Sequence, residues 1–511
     1  MREIEHSGRP ANIIGIDLGT SDTCVARFNP LGIPEVTYNC AGEPFTPSVI
    51  RFFDGFEADI GYEAKKFLGL GYDDVFAEFK RDIGSEKSWK IDDETVTPTD
   101  LTAMLLKKVV SDYSAQFGKP GKIAITWPAN FRQEQREATK MAALSAGLEN
   151  VCFVEESIAA ALGYARETCL NGYYLVYDLG GGTFEATLIK ATDGCIAVIN
   201  SAGVQQLGGK DFDNALLKLI AEKFRLKTGE EFDRVECCFT DLDLLSAKHT
   251  LSTRPSVLIR LVSCKLGPIS LEVSRAEFEN SISHFIAQAE MACEDALCSL
   301  RDRIHQNVKT TDIKEILMVG DTCRTPAIQD SILRIFGKKP VIRNPSQVVA
   351  MGAAIFAALK AQPKGMTPLQ LKALEKIKAE PIAPYYFGTT ILDHESYCLR
   401  NHVVIRKGEK LPCRISRTYF TTQDNQSSVI CDMTLSSDDT SEPDFVSKIF
   451  ECSLTLPAST PQGTPITVTF ECDVEGCASL QISAPPEGGG GSTTASAKIS
   501  PPTPPPLHDE R

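Results

Sequence analysis

Residues 12–28 read NIIGIDLGTSDTCVARF, and residues 173–190 read YYLVYDLGGGTFEATLIK. In each, an apolar run ends in an aspartate, Asp17 or Asp178; a glycine turn carrying a hydroxyl follows, and then a second apolar run. Glycine turns let backbone N–H groups approach an anion, because no Cβ stands between. In a P-loop or a dinucleotide-binding unit such a turn opens a helix. Here both turns lead into β-like runs, TCVARF and FEATLIK, so both read as hairpins. Two hairpins facing each other can hold one polyphosphate from both sides. Asp17 and Asp178 then suit a phosphate-bound Mg2+, whose waters need acidic acceptors. Thr20, Ser21 and Thr183 add hydroxyl and backbone donors. Two ordinary hairpins with Asp-Gly turns are the plain alternative, and two copies in corresponding positions weigh against it.

Working outward, residues 315–336, EILMVGDTCRTPAIQDSILRIF, read as a buried strand, a small polar loop and a helix opened by Pro326. An edge of this kind can carry the sugar and base of a nucleotide. Residues 12–360 alternate short apolar runs with amphipathic helical stretches, an α/β pattern. With a hairpin opening each half, a duplicated two-lobe architecture is expected. Residues 361–384, AQPKGMTPLQLKALEKIKAEPIAP, are Pro-bounded and Lys-rich with a short helical centre, and read as an interdomain linker. Residues 385–484 hold strand-like runs such as TYFTT, SSVICDMTL, PITVTFECD and ASLQIS, an all-β module. Residues 485–511 form a Gly/Pro-rich tail that cannot bury a core and is expected to be disordered.

The length of 511 residues suits two to four domains. Hydrophobic residues make up 42% and charged residues 23%, which excludes a fibre, a mostly disordered chain and a membrane bundle. A net charge of −14 argues against wrapping nucleic acid or docking on anionic lipid. No apolar run reaches the roughly 18 residues of a membrane span, and MREIEHSGRP carries no apolar signal core, so a cytoplasmic protein is expected. The 17 cysteines include no C-x-x-C pair and read as reduced thiols, not a disulfide framework. None of the seven histidines is spaced as a metal pair, which speaks against zinc.

The ordered set D-L-G-T, D-L-G-G-G-T-F and V-G-x-x-x-R-x-P resembles the actin-like ATPase superfamily, and within it most closely the heat-shock protein 70 chaperones. The stretch TWPANFRQEQREATKMAALSAGLENVCFVEESIAAALGYA is similar to that family's segment joining the subdomains, as is VQQLGGKDFDNAL. Downstream, YFTTQDNQSSVICDMTL resembles the start of its peptide-binding β-sandwich. The resemblance is strong over residues 12–360 and weaker over 385–484.

It implies a fold and a site. The fold is a duplicated two-lobe actin-like ATPase domain over 12–360, followed by a β-sandwich-like module. Gly19, Thr20, Ser21 and Asp22 match the turn that binds β- and γ-phosphates, and Gly180, Gly181, Gly182 and Thr183 match the second turn. Gly208 and Gly209 belong to the matching VQQLGGKDFDNAL run. Asp17 and Asp178 match the acids that organise Mg2+ through water, with K+ as a further cation. Lys80, in FAEFKRDIG, matches the catalytic lysine, a positive charge that would stabilise the transferring phosphoryl group. Glu156, in VEESIAAA, matches the glutamate near the attacking water; Asp178 and Thr183 complete the catalytic set. Pro128 and Arg136 match positions that couple nucleotide state to the peptide domain. Lys248, Ser252, Gly320 and Arg324 fit the adenosine side.

Several positions depart from the family. His249 replaces an arginine that stacks on the base, and Leu245 a glutamate that binds the sugar. Asp321 replaces a second glycine, Ser346 an acid, and Glu185 the aspartate after the second hairpin. A charged side chain at Asp321 would crowd the nucleoside and oppose nearby phosphate. The set predicts weakened nucleotide affinity with slow hydrolysis retained. The linker lacks the family's leucine-rich docking motif, and where the family continues into a helical lid only the Gly/Pro tail follows, which predicts fast peptide release. The resemblance therefore implies a chaperone that binds ATP and ADP, hydrolyses ATP, and takes unfolded or nascent polypeptides, with a J-domain cochaperone and a nucleotide-exchange factor as partners. The alternative is a non-hydrolysing nucleotide-binding cochaperone or scaffold in a chaperone or ribosome-associated complex. A small-molecule kinase would leave the β-module without a role.

Overall fold

The structure, a computed structural model, describes residues 12–53, 57–92, 94–166, 170–192, 195–298, 308–363, 365–375, 377–380, 383, 385–393, 398–436, 439–457, 459–474, 476–484 and 493–498. Both hairpins form as the alternation of apolar runs and glycine turns dictates. Strand Ile13–Asp17 pairs antiparallel with Asp22–Phe28, placing Asp17 opposite Cys24. Strand Gly172–Leu179 pairs antiparallel with Phe184–Thr192, placing Asp178 opposite Glu185. Each first strand also takes a parallel neighbour on its other side, Lys122–Trp127 in one case and Ile313–Val319 in the other. These four strands are buried on both faces over most of their length, which accounts for their apolar runs; Lys314 and Glu315 are the exposed exceptions in Ile313–Val319. The sheet orders are Val151–Glu155, Lys122–Trp127, Ile13–Asp17, Asp22–Phe28, Pro34–Val36, with Phe45–Pro47 also pairing Asp22–Phe28, and Val341–Ile342, Ile313–Val319, Gly172–Leu179, Phe184–Thr192, Cys195–Val204, Lys378–Glu380. The repeat seen in sequence is thus a repeat of sheet topology, and it puts both aspartates at the carboxyl ends of central strands.

The chain divides into two compact units, Met1–Ala379 and Glu380–Arg511. In the first, each lobe has its own core: Ile14, Ile16, Phe52, Leu105 and Trp127 in one, Leu175, Tyr177, Phe184, Phe212 and Met318 in the other. Helix Val348–Lys360 covers the first sheet and helix Glu156–Ala165 the second, and the two helices pack on each other. Their sequences, VVAMGAAIFAALK and ESIAAALGYA, are rich in Gly and Ala, so the backbones come very close. A Cβ added at Gly352 would sit 1.6 Å from the Ala159 carbonyl oxygen. Backbone, not a movable side chain, blocks it. Gly352→Ala is therefore expected to destabilise this unit by about 3 kcal/mol or more, read as a lowered denaturant midpoint at unchanged m-value.

The segment read as a linker is folded onto the first unit over much of its length. Helix Pro368–Leu374 is capped by Thr367, whose hydroxyl also donates to the Pro30 carbonyl at 2.6 Å. Gln370, fully buried, donates to the Phe28 carbonyl at 3.1 Å. A helix this short is marginal alone; two tertiary hydrogen bonds, invisible to a composition argument, hold it.

The second unit is built from two four-stranded antiparallel sheets: Leu399–Ile405, Tyr386–Leu392, Ser428–Ser436, Ser447–Thr455, and Cys413–Phe420, Pro465–Cys472, Ala478–Ala484, Thr493–Lys498. Period-2 alternation sends Ile466, Val468 and Phe470 inward with Met433, Leu454, Leu480 and Ile482. The expectation of a disordered tail is corrected at residues 493–498. Thr493–Lys498 pairs antiparallel along Ala478–Ala484, from Ala484↔Thr493 to Ser479↔Lys498. The edge left by Ala478–Ala484 supplies ladder hydrogen bonds that a Gly/Pro count does not register. Residues 485–492 and 499–511 of that tail lie outside the described residues. No helix among the described residues is long and apolar enough to cross a membrane, and all described cysteines are free thiols.

Candidate functional site

The two hairpin turns meet. Gly181 lies so close to the first turn that a Cβ on it would fall 2.0 Å from Ser21 Oγ. Beside this contact opens a cavity of about 870 Å3, lined from both lobes. Gly19, Thr20, Ser21 and Asp22 enter from the first turn, and Gly180, Gly181 and Thr183 from the second. Asp17 and Asp178, 161 positions apart in the chain, line the same cavity. Lys80 and Glu156 stand with them, their side chains 5% and 10% exposed, joined Nζ to Oε1 at 2.6 Å. Gly182 and Gly208 do not line it. Gly182 lies against Thr20 and Arg81 of the first lobe, and Gly208 against the Gly181–Gly182 backbone with its N–H on Asp211 Oδ2 at 2.8 Å. Gly209 reaches the cavity and donates its N–H to the Gly180 carbonyl at 2.9 Å.

The acids here outnumber their counter-charge. Burial first, then the Glu156 charge, pushes Asp17 up to about 7, against the pull of Lys80 and a hydrogen bond from Thr126. Asp178 is pushed well above the ordinary carboxylate range by burial, then by Glu156, Asp17 and Glu185. Carboxylates crowded in this way, with one ammonium among them, fit a divalent cation. No group of three ligating side chains is gathered to hold a metal directly among the described residues. Asp17 and Asp178 would then hold Mg2+ through its waters, with the remaining coordination left to phosphate oxygens.

The far end of the cavity holds the residues expected at the nucleoside: Lys248, His249, Ser252, Gly320, Asp321 and Arg324. Leu245 and Ser346 line it too. Lys248 is fixed by Asp213 at 2.8 Å and by the Gly209 carbonyl at 3.0 Å. His249 is held below its ordinary pKa by burial and then by Lys248, so it is neutral at neutral pH. The Asp321 carboxylate does not stand alone: Arg324 Nε donates to it at 2.9 Å, and both side chains are about half exposed. Its charge is thereby partly cancelled, and the guanidinium is partly engaged.

Sequence reasoning missed the ionic rim. Arg81 bridges from the first lobe to Asp211 of the second at 2.8 Å, and Lys210 reaches Asp241 at 3.3 Å and Glu78 at 3.8 Å. Arg81 adjoins Lys80 and Lys210 lies in a stretch singled out above, but charges some 130 positions apart obey no spacing rule. Also missed were Thr126, which donates to Asp17 at 3.3 Å, and Thr322, which donates to the Gly180 carbonyl at 2.9 Å.

The family model described as Hsp70 protein matches residues 13–91 and 86–498. Chaperone protein DnaK of Thermotoga neapolitana is 32% identical over 476 residues, covering 91% of this chain and 77% of that protein. Chaperone protein DnaK of Thermosipho melanesiensis is 32% identical over 481 residues, covering 92% and 78%. Chaperone protein DnaK of Thermosipho africanus is 31% identical over 475 residues, covering 91% and 76%. A shared topology, a cavity between paired hairpins and matches of this extent place the chain in the heat-shock protein 70 family.

Proposed function

We propose that the protein is a molecular chaperone of the cytosol that binds MgATP between its two hairpins, hydrolyses it slowly, and couples that cycle to binding of unfolded polypeptide. The observation that carries the catalytic part is the buried Lys80–Glu156 pair beside Asp17 and Asp178 in one cavity. Mg2+ when bound would neutralise phosphate charge and help align the transferring group. Lys80 offers a fixed ammonium to the charge that develops during transfer. Glu156, held by Lys80, presents its second carboxylate oxygen as an acceptor that can orient a water. Thr183 and the N–H groups of both turns grip phosphate oxygens. Lys248, His249, Ser252 and Arg324 take the nucleoside. With a neutral histidine, an aliphatic Leu245 and an Arg324 shared with Asp321, affinity is weaker than in a typical family member. A K+ ion, a J-domain cochaperone and a nucleotide-exchange factor rest on family membership alone.

The test uses the full chain, MgATP, MgADP and a fluorescent unfolded peptide. Expected are magnesium-dependent turnover and peptide release at least about tenfold faster with ATP than with ADP. Peptide binding with no turnover would favour the scaffold reading. Peptide affinity and release indifferent to nucleotide would overturn the coupling.

A further inference from the structure

The second unit contains six cysteines, and four of them face one another across strand pairs. Cys431 of Ser428–Ser436 lies directly opposite Cys452 of Ser447–Thr455. Cys413 of Cys413–Phe420 lies directly opposite Cys472 of Pro465–Cys472. The first pair belongs to one sheet and the second pair to the other. Directly opposed residues of an antiparallel pair project to the same face, with Cα atoms about 4.5 or 5.5 Å apart according to the hydrogen-bond register. Either spacing falls within the roughly 4.4–6.8 Å that a disulfide spans. Cys431 and Cys452 both belong to the core, each 6% exposed. Cys472 is buried in that core, and Cys413, half-buried, packs against it. The Cys472 N–H lies against the Cys413 sulfur. A buried cysteine on its own fills space like any small apolar side chain. Filling space does not call for cysteine opposite cysteine, once in each sheet. The members of the pairs are 21 and 59 positions apart, so no C-x-x-C spacing announces them.

We propose that Cys413–Cys472 and Cys431–Cys452 are two sites of reversible cross-strand disulfide formation, one clasp for each sheet of the second unit, closed by a peroxide and opened by thiol reductants. In a reducing compartment all four remain thiols. In the first step of closure one thiolate attacks an oxygen of hydrogen peroxide. The O–O bond breaks, leaving a sulfenic acid and a hydroxide that takes up the thiol's proton as water. In the second step the opposed thiol attacks that sulfur. The S–O bond breaks, the S–S bond forms, and a second water leaves. Two thiols are thus oxidised by two electrons, and one peroxide is reduced to two waters. Cys413 reacts first, because it begins its strand at the end of the ladder and is the only one of the four that is not fully buried. Burial raises the Cys413 thiol and carries that of Cys431 up to about 11. The pair inside the core is also the harder to reach, so it closes more slowly. The Cys413–Cys472 clasp closes the longer loop and restricts the unfolded chain more. Neither clasp depends on the nucleotide cavity.

The experiment exposes the reduced full chain, without nucleotide, to stepwise hydrogen peroxide. Remaining thiols are blocked with iodoacetamide under denaturing conditions, and linked peptides are mapped by mass spectrometry without reduction. The Cys413–Cys472 link is expected first and the Cys431–Cys452 link at higher peroxide, each with the loss of two hydrogens and each removed by dithiothreitol. Amide exchange at Val468 and Phe470 is expected to slow at least about tenfold once the first link has formed. Cys413→Ser should abolish that slowing while the Cys431–Cys452 link still forms. Four thiols still open to iodoacetamide at peroxide doses that oxidise the exposed Cys398 would overturn the proposal. So would links from these cysteines to other partners, or Cys413 carried on to sulfinic acid beside an intact Cys472 thiol. One link without the other overturns the proposal for the sheet that stays open. Links that leave exchange unchanged or faster show that nothing is clasped and overturn it equally. The parent protein decides each of these outcomes even if Cys413→Ser does not fold.

Discussion

Lys80→Ala is expected to slow single-turnover ATP hydrolysis by at least about a hundredfold while the protein still binds MgATP. The ammonium is 5% exposed and rigidly paired at 2.6 Å, so no mobile surface lysine can take its place. The effect should fall on the rate constant, because a charge fixed where negative charge grows stabilises the transition state more than the bound nucleotide. The alanine variant also leaves Glu156 buried among Asp17 and Asp178 without its cation. Its metal-free form should accordingly unfold at lower temperature, and MgATP should restore more stability to it than a surface lysine change of equal size would need. Turnover within about threefold of the parent would remove Lys80 from the mechanism. Loss of turnover together with undiminished chaperone activity in a refolding assay would move the protein to the scaffold class.

Asp17→Asn is expected to do the opposite to stability: the metal-free protein gains while hydrolysis is lost. The Asp17 carboxyl, raised to about 7 by burial and by Glu156, keeps a proton in the folded chain that the unfolded chain releases near pH 4. Its favourable contribution is thus complete below the unfolded value and disappears as pH rises through about 7. Asparagine does not titrate. The stability difference between variant and parent should therefore be small at pH 4 and grow in favour of the variant up to pH 8. A shift of this size corresponds to about 4 kcal/mol, but Asp17 faces a cavity that water enters, and about 1–2 kcal/mol should remain after screening. Adding MgATP should reverse the order, since the parent binds it and the variant does so poorly. A difference that stays flat from pH 4 to 8 would show that Asp17 is ionised at no cost. Such a trade of apo stability for a charged site is common where function needs like charges side by side.

What was legible in the sequence is what local periodicity writes there. The hairpins of 12–28 and 173–190, the strand-loop-helix of 315–336 and the alternating strands around Val468 and Met433 each show their pattern within a dozen residues, and each formed. The shared cavity was legible because the same turn occurs twice. The rest depends on partners distant in the chain. Gln370 finds Phe28 across some 340 positions, so a segment that composition marks as linker becomes part of the folded unit. Thr493–Lys498 becomes a strand only because Ala478–Ala484 offers an unpaired edge. Asp321 does line the cavity, and Arg324, three residues on, turns back to it. Nothing in a linear pattern says which way such a guanidinium will point. Gly182 and Gly208 matched the loops of the site, and in the structure they pack against Thr20, Arg81 and the Gly181–Gly182 backbone beside the cavity.

The helix pair at the middle of the first unit meets backbone to backbone at Gly352, Ala159 and Gly163, with a Val348 methyl against Gly163. Most helix contacts mesh like gear teeth, and a shift along them must lift each tooth out of its notch. A smooth backbone bearing has no notch to clear. A shift of one helix along the other would move backbone against backbone, so the contact is set by the missing Cβ atoms of Gly352 and Gly163 and not by a choice of rotamers.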